Sequence, residues 1–304
     1  MIFQKTYHTH ALPGIYLRQK LSDYGQLVKF RLTVMVIFST FAGFLLGSGL
    51  QVDWFQLIMI LVGGFMIVGA ANGINQIIER DADKKMRRTE NRPLAQNRLA
   101  VWEAAVFCII LGLSGVLLLG FVHNPLTGWL SFASLVLYAF VYTPLKKHSP
   151  IAVFVGAIPG ALPPAIGYAG ATGSIDGIAI SLFLIQFIWQ FPHFWAIAWV
   201  LQEDYQRAGY NLLPLGGEKN RRGAFQIVMF SMLIIPVSIL PAVLGIGGVV
   251  SAIAGLAGGI YLLARSMVLF RRLDDPSARK LMYASFIYIP AVFLIFILDR
   301  FFIV

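Results

Sequence analysis

The chain is 304 residues long, with 58% hydrophobic side chains, only 12% charged ones and a formal net charge of +10. A soluble globular domain carries about 25% charged residues, so this chain cannot clothe itself in a water-facing surface. Long apolar runs replace the two-residue alternation of barrel strands, which leaves an all-α, polytopic bundle of membrane helices.

Residues 1–30 mix Lys, Arg and His with no compact apolar centre. They lack the shape of a signal peptide and read as an N-terminal cytoplasmic arm, with residues 31–304 forming a single transmembrane domain. Apolar runs predict nine spans at roughly 32–50, 54–78, 101–121, 125–143, 151–170, 177–200, 225–245, 247–269 and 281–303. With the N-terminus inside, every Lys and Arg except Arg300 falls in the arm, in an inner connection or, as Arg265 does, at the inner end of a span. The positive-inside rule then sets the orientation, with the N-terminus cytoplasmic and the C-terminus outside. The basic excess is therefore topological and predicts no nucleic-acid partner. Cys108 is the only cysteine, which rules out an internal disulfide or a cysteine metal cluster.

The second span ends in "NQIIERDADKKMRRTENRP". Asn75, Glu79 and Asp83 recur every four residues, so on a helix they form one stripe drifting about 40° per step. Oxygen donors on one helix face suit a hard cation such as Mg²⁺, which keeps water or phosphate oxygens in its shell. Arg80, Arg87, Arg88 and Arg92 flank them and can bind phosphate by charge and forked hydrogen bonds. A topological anchor would explain these bases but not the acids, which do little for orientation and cost free energy near hydrocarbon.

The fourth span aligns Tyr138, Tyr142 and Lys146, followed by Lys147, as a second stripe ending at the inner surface. Such residues are ordinary interfacial anchors; their alignment makes them phosphate contacts as well. The fifth span, "IAVFVGAIPGALPPAIGYAG", predicts a kinked interior helix, because prolines free backbone carbonyls that the bundle must satisfy. In the sixth, Gln186, Gln190 and His193 form a polar seam among Trp189, Trp195 and other aromatics. Glu203, Asp204 and Arg207 follow at its inner end, where they can face the first acid cluster across one cavity.

These blocks resemble the intramembrane aromatic prenyltransferases. The family pattern N-x-x-x-D-x-x-x-D followed by M-x-R-T-x-x-R-P-L is matched by Asn75, Glu79, Asp83 and then Met86, Arg88, Thr89, Arg92, Pro93 and Leu94. "YTPLKK", "GAIPGALPP", "WQFPHFWAIAW" and "EDYQRAGYNLLP" are similar to its haem-modifying branch, in order over roughly residues 25–300. Four positions depart from the pattern. Glu79 stands where Asp is usual, Ala152 stands where Asn is common, and the second acidic motif keeps only Glu203 and Asp204, with Leu201 and Ala208 at its outer positions.

The resemblance implies transfer of a farnesyl group from farnesyl diphosphate to a vinyl group of haem B in a bacterial inner membrane, with water added. It implies Mg²⁺ on Asn75, Glu79, Asp83, Glu203 and Asp204. Diphosphate would lie on Arg80, Arg87, Arg88, Arg92, Tyr142, Lys146, Lys147 and Arg207, and haem against His193, Trp189 and Trp195, with His193 placed to ligate iron. A haem-modifying enzyme or a terminal oxidase would be the downstream contact. A quinone or chlorin acceptor stays open on the polar stripes alone. So does a cation-coupled transporter, although transporters hold their ions near the midplane on broken helices.

Overall fold

Among the described residues, nine helices are long and apolar enough to cross a membrane. The computed structural model describes residues 13–302 apart from Gly216; the arm before residue 13 lies outside them. In chain order the helices are α1 Pro13–Leu27, α2 Phe30–Ser48, α3 Trp54–Asp83, α4 Val101–Val122, α5 Pro125–Leu145 and α6 Ala152–Thr172. They continue as α7 Gly177–Val200, the short α8 Gln202–Arg207, α9 Arg221–Val243, α10 Val249–Arg272 and α11 Asp275–Phe302.

The spans agree with the apolar runs except where polar residues continue a helix. Thus α3 runs on to Asp83 and α11 begins at Asp275, because hydropathy ends at the membrane edge while backbone hydrogen bonding does not. The arm contains a helix of its own, α1, tied to the bundle by Gln76. The Gln76 amide donates to the carbonyls of Gln26 (2.9 Å) and Leu27 (2.7 Å), acceptors that a helix C-terminus otherwise leaves orphaned. The chain then turns through Lys29, whose φ of 49° is left-handed, an uncommon conformation for a residue other than glycine.

Helix α2 packs on α3 and α6, α6 on α5 and α7, and α7 on α11, which returns to α2. That ring encloses the cavity, while α4 and α10 pack outside it. Crossing of α2 over α6 is close: a Cβ on Gly43 would overlap the Pro164 carbonyl, and one on Gly167 the Thr40 carbonyl. Small residues allow this backbone approach, which supplies dispersion where lipid removes the hydrophobic drive.

Helix α6 has the most buried apolar stretch of the nine, as its composition predicts, and its prolines behave as expected. Each proline lacks the N–H that would reach the carbonyl four residues earlier. Pro163 thus frees the Pro159 carbonyl, which accepts from Ser134 Oγ at 3.3 Å. Pro164 frees the Gly160 carbonyl, which accepts from Gln186 Nε2 at 2.7 Å. In α5, residues Leu137–Tyr142 form a π-helical turn, with the Thr143 N–H donating five residues back to the Tyr138 carbonyl. Such turns cluster at functional sites.

Candidate active site

At the C-terminal end of α3, Asn75, Glu79 and Asp83 are all but fully buried. Each is met by a cation from elsewhere in the chain. Lys29 Nζ donates to Asn75 Oδ1 at 3.2 Å, Lys146 Nζ lies 2.6 Å from Glu79 Oε1, and Arg92 donates to both Asp83 oxygens at 2.8 Å. Asn75 also donates to Thr143 Oγ1 at 3.1 Å, which locks its amide with the oxygen toward Lys29. A buried carboxylate without such a partner would carry a desolvation penalty of several kcal/mol.

The cations outnumber the acids they touch. Burial, reinforced by Arg92 and Lys146, holds the Lys29 pKa well below the usual lysine value. Burial also works to lower that of Lys146, but the adjacent Glu79 carboxylate outweighs it and keeps the ammonium charged. The Lys146 ammonium stands 4.9 Å from the Tyr142 ring centroid and 5.7 Å from that of Tyr210, within cation–π range. Three basic side chains stand against two carboxylates here, and an added anion would favour the charged form of Lys29.

The second cluster reaches the basic loop that follows the first through Asp204, by backbone groups rather than by paired charges. Asp204 on α8 accepts from the backbone N–H groups of Arg87 and Arg88, each at 3.3 Å, and Arg207 stands 3.6 Å from Asp204. The Arg88 guanidinium lies 5.9 Å from the Tyr205 ring centroid. Several expected members are exposed, namely Glu203, Arg87, Arg88, Lys147 and Arg207, and Arg80 leans toward Asp81 at 3.9 Å.

The donor set fits Mg²⁺. Among the described residues no group of three or more His, Cys, Asp or Glu is arranged to hold a metal unaided. Mg²⁺ does not need one, since it takes one or two carboxylates and completes its shell with water and phosphate oxygens. The buried Glu79 and Asp83 carboxylates, with the Asn75 amide oxygen, are the oxygen donors that α3 offers.

Beneath the rim lies a largely apolar cavity of about 360 Å³, walled by α2, α5, α6, α7 and α11. Tyr142 lines it and also lies under Lys146, so the ring joins the two spaces. His193 and Trp189 are in the wall, stacked with centroids 4.3 Å apart and planes 20° from parallel. Ser285 on α11 anchors both: its carbonyl accepts from Trp189 Nε1 at 2.9 Å, and its hydroxyl lies 2.9 Å from His193 Nδ1. Trp195 is not in this wall; it is fully buried in a cluster with Phe154, Phe191 and Phe230.

Lys29, Thr143, Tyr210 and Ser285 are absent from the sequence-derived site. Their partners lie far along the chain, 46 residues away for Lys29 and 92 for Ser285. Thr143 and Tyr210 do sit inside the blocks "YTPLKK" and "EDYQRAGYNLLP", a signal that could have marked them.

The UbiA prenyltransferase family model matches residues 36–290. The chain belongs to this family. A protoheme IX farnesyltransferase of Cytophaga hutchinsonii is 45% identical over 285 residues, covering 93% of this chain and 99% of that protein. One from Flavobacterium psychrophilum is 40% identical, covering 96% and 98%. Among solved structures, a digeranylgeranylglyceryl phosphate synthase aligns with a TM-score of 0.78 at 20% identity, over 93% of this chain and 99% of that one. A UbiA homologue from Archaeoglobus fulgidus, bound to GPP and Mg²⁺, aligns with a TM-score of 0.68 at 16% identity, over 90% and 99%. The chain thus has a UbiA-type helical bundle and is an integral membrane prenyltransferase.

Proposed function

We propose that the protein transfers a farnesyl group from farnesyl diphosphate to a vinyl group of haem B, with addition of water, and releases pyrophosphate. The observation that carries this reading is the union of a cation-rich rim and an aromatic cavity through one residue, Tyr142. It agrees with the names of the full-length relatives.

Lys29, Arg92, Lys146, Arg88 and Arg207 hold the diphosphate at the rim, and the prenyl tail lies along the apolar wall. Asn75, Glu79 and Asp83 would hold Mg²⁺, with Asp204 on the facing side; the archaeal neighbour solved with GPP and Mg²⁺ supports the use of a divalent ion. When bound, the ion neutralises charge that builds on the departing pyrophosphate. The protein cations do the same from fixed positions, so little reorganisation is needed as the bond breaks. To take up these roles, Lys146 and Arg92 turn from their carboxylates toward the phosphate oxygens. The aromatic walls keep bulk water from the allylic carbon and offer π faces to its positive charge, while Trp189 and His193 contact the macrocycle.

The chain is oriented with its N-terminus in the cytoplasm of a bacterial cell and its rim at that face of the inner membrane. The product passes to a haem-modifying enzyme or a terminal oxidase. Expression of the chain in cells lacking this activity, followed by pigment extraction, tests the reading. Haem O identified by mass supports it; unchanged haem B alongside a newly prenylated quinone overturns it.

A further inference from the structure

On one face of α7, Gln186, Gln190 and His193 spend their donors on the protein. Gln186 Nε2 donates to the Gly160 carbonyl at 2.7 Å, and Gln190 Nε2 donates to the carbonyls of Ala157 (3.0 Å) and Gln186 (3.3 Å). Carbonyl partners at these distances fix which end of each amide is nitrogen. Ser285 decides the imidazole. Its Oγ lies 2.6 Å from the Met282 carbonyl, which has no proton, so the single serine proton must lie between these two oxygens. Toward His193 the hydroxyl can then only accept, at 2.9 Å. Nδ1 therefore carries the imidazole proton, and Nε2 presents a lone pair.

The acceptors left on the seam are Gln186 Oε1, buried and without a hydrogen-bond partner, Gln190 Oε1, which lies against Gly160, and His193 Nε2. All three side chains line the cavity. A row of acceptors in an apolar wall selects a small molecule with protons to donate, and water meets that need. Water that donates both protons to the wall turns its own lone pair toward the cavity, the orientation of a nucleophile.

Farnesyl transfer to a vinyl group forms a C–C bond and leaves positive charge on the vinyl carbon next to the macrocycle. That cation ends by losing a proton to give an alkene or by gaining water to give an alcohol. We propose that the Gln186–Gln190–His193 seam holds the water that adds to this cation, with His193 Nε2 accepting its proton. The water oxygen forms the C–O bond, one O–H bond breaks with its electron pair left on oxygen, and the proton passes to Nε2. The imidazolium returns it to solvent as products leave. Ser285 is a positioning residue that holds the required tautomer. The inference rests on the farnesyl-to-haem reading above and adds what decides between alcohol and alkene.

The test uses the full chain in lipid nanodiscs with farnesyl diphosphate, Mg²⁺ and haem B, read by mass of the extracted haem. Wild type gives the alcohol. His193→Phe raises the alkene, lighter by one water, relative to the alcohol by about tenfold or more, the scale of a lost general base. Ser285→Ala shifts the ratio in the same direction and Ser285→Thr restores it, which keeps the test decisive if His193→Phe fails to fold. An unchanged ratio with reduced total transfer overturns the water site. An imidazole–iron signature in the spectrum of bound haem, lost in His193→Phe, assigns Nε2 to the metal and also overturns it. No farnesylated haem from wild type refutes the underlying function instead.

Discussion

The rim and the cavity wall solve opposite problems with opposite means. At the rim, long charged side chains hold one another in ion pairs, Lys146 with Glu79 and Arg92 with Asp83. In the wall, shorter polar groups are pinned to backbone carbonyls, Gln186 to Gly160 and Gln190 to Ala157. The first arrangement can trade partners when an anion and a divalent ion arrive together, because every charge then finds a new counterpart. The second cannot trade, because its partners are main-chain atoms of a close-packed helix. Exchange suits a leaving group that must depart, and fixity suits a cation that must be met in one geometry.

The comparison breaks most readily at the rim. Stripping Mg²⁺ with a chelator is expected to stop turnover, restored on adding the ion back. Asp83→Ala, assayed as haem product per unit of membrane-inserted protein, is expected to lose about a thousandfold, the upper range for removing one electrostatic stabiliser; near-normal product formation would remove Asp83 from the metal site. Lys146→Met, which keeps much of the stem but no charge, should cost about a hundredfold in kcat. Lys29→Gln should raise KM for the diphosphate donor about tenfold, the size of one charge-assisted hydrogen bond. An unchanged KM would make Lys29 a structural partner of Asn75 alone.

The smallest effect sharpens the other half. Gln186→Leu leaves the Gly160 carbonyl unsatisfied and should destabilise the folded protein by about 1–3 kcal/mol, seen as a lower Tm in detergent. In a Pro164→Ala background the restored N–H can reach that carbonyl, so the same substitution should cost less. Equal costs in both backgrounds would show that Gln186 does not compensate for the proline.

Much of this was legible in the sequence. Apolar runs locate the spans because the bilayer imposes a length, and the four-residue spacing puts Asn75, Glu79 and Asp83 on one face because α3 stays helical to Asp83. Proline positions foretold the carbonyls that needed partners. The partners themselves were not legible, since nothing near Lys29 or Ser285 points to a residue on another helix. Trp195 shows the reverse limit: an aromatic two residues from His193 in sequence turns to another face of α7, into the packed cluster around Phe191 and Phe230. The π turn in α5 was illegible too, because its residues carry no local mark of an i to i+5 bond.

That turn has a consequence for phase. Each residue of an α-helix advances the direction of its side chain by about 100°, so one surplus residue resets every position beyond it. The outer half of α5 is keyed to its neighbours in the bundle, and the inner half must aim Tyr142 and Lys146 at the space below and beside Glu79. The wider turn at Leu137–Tyr142 lets one helix keep both alignments, much as a vernier joins two scales of unequal pitch. Deleting a single residue there would leave a longer stretch of ideal helix and an ammonium pointing the wrong way.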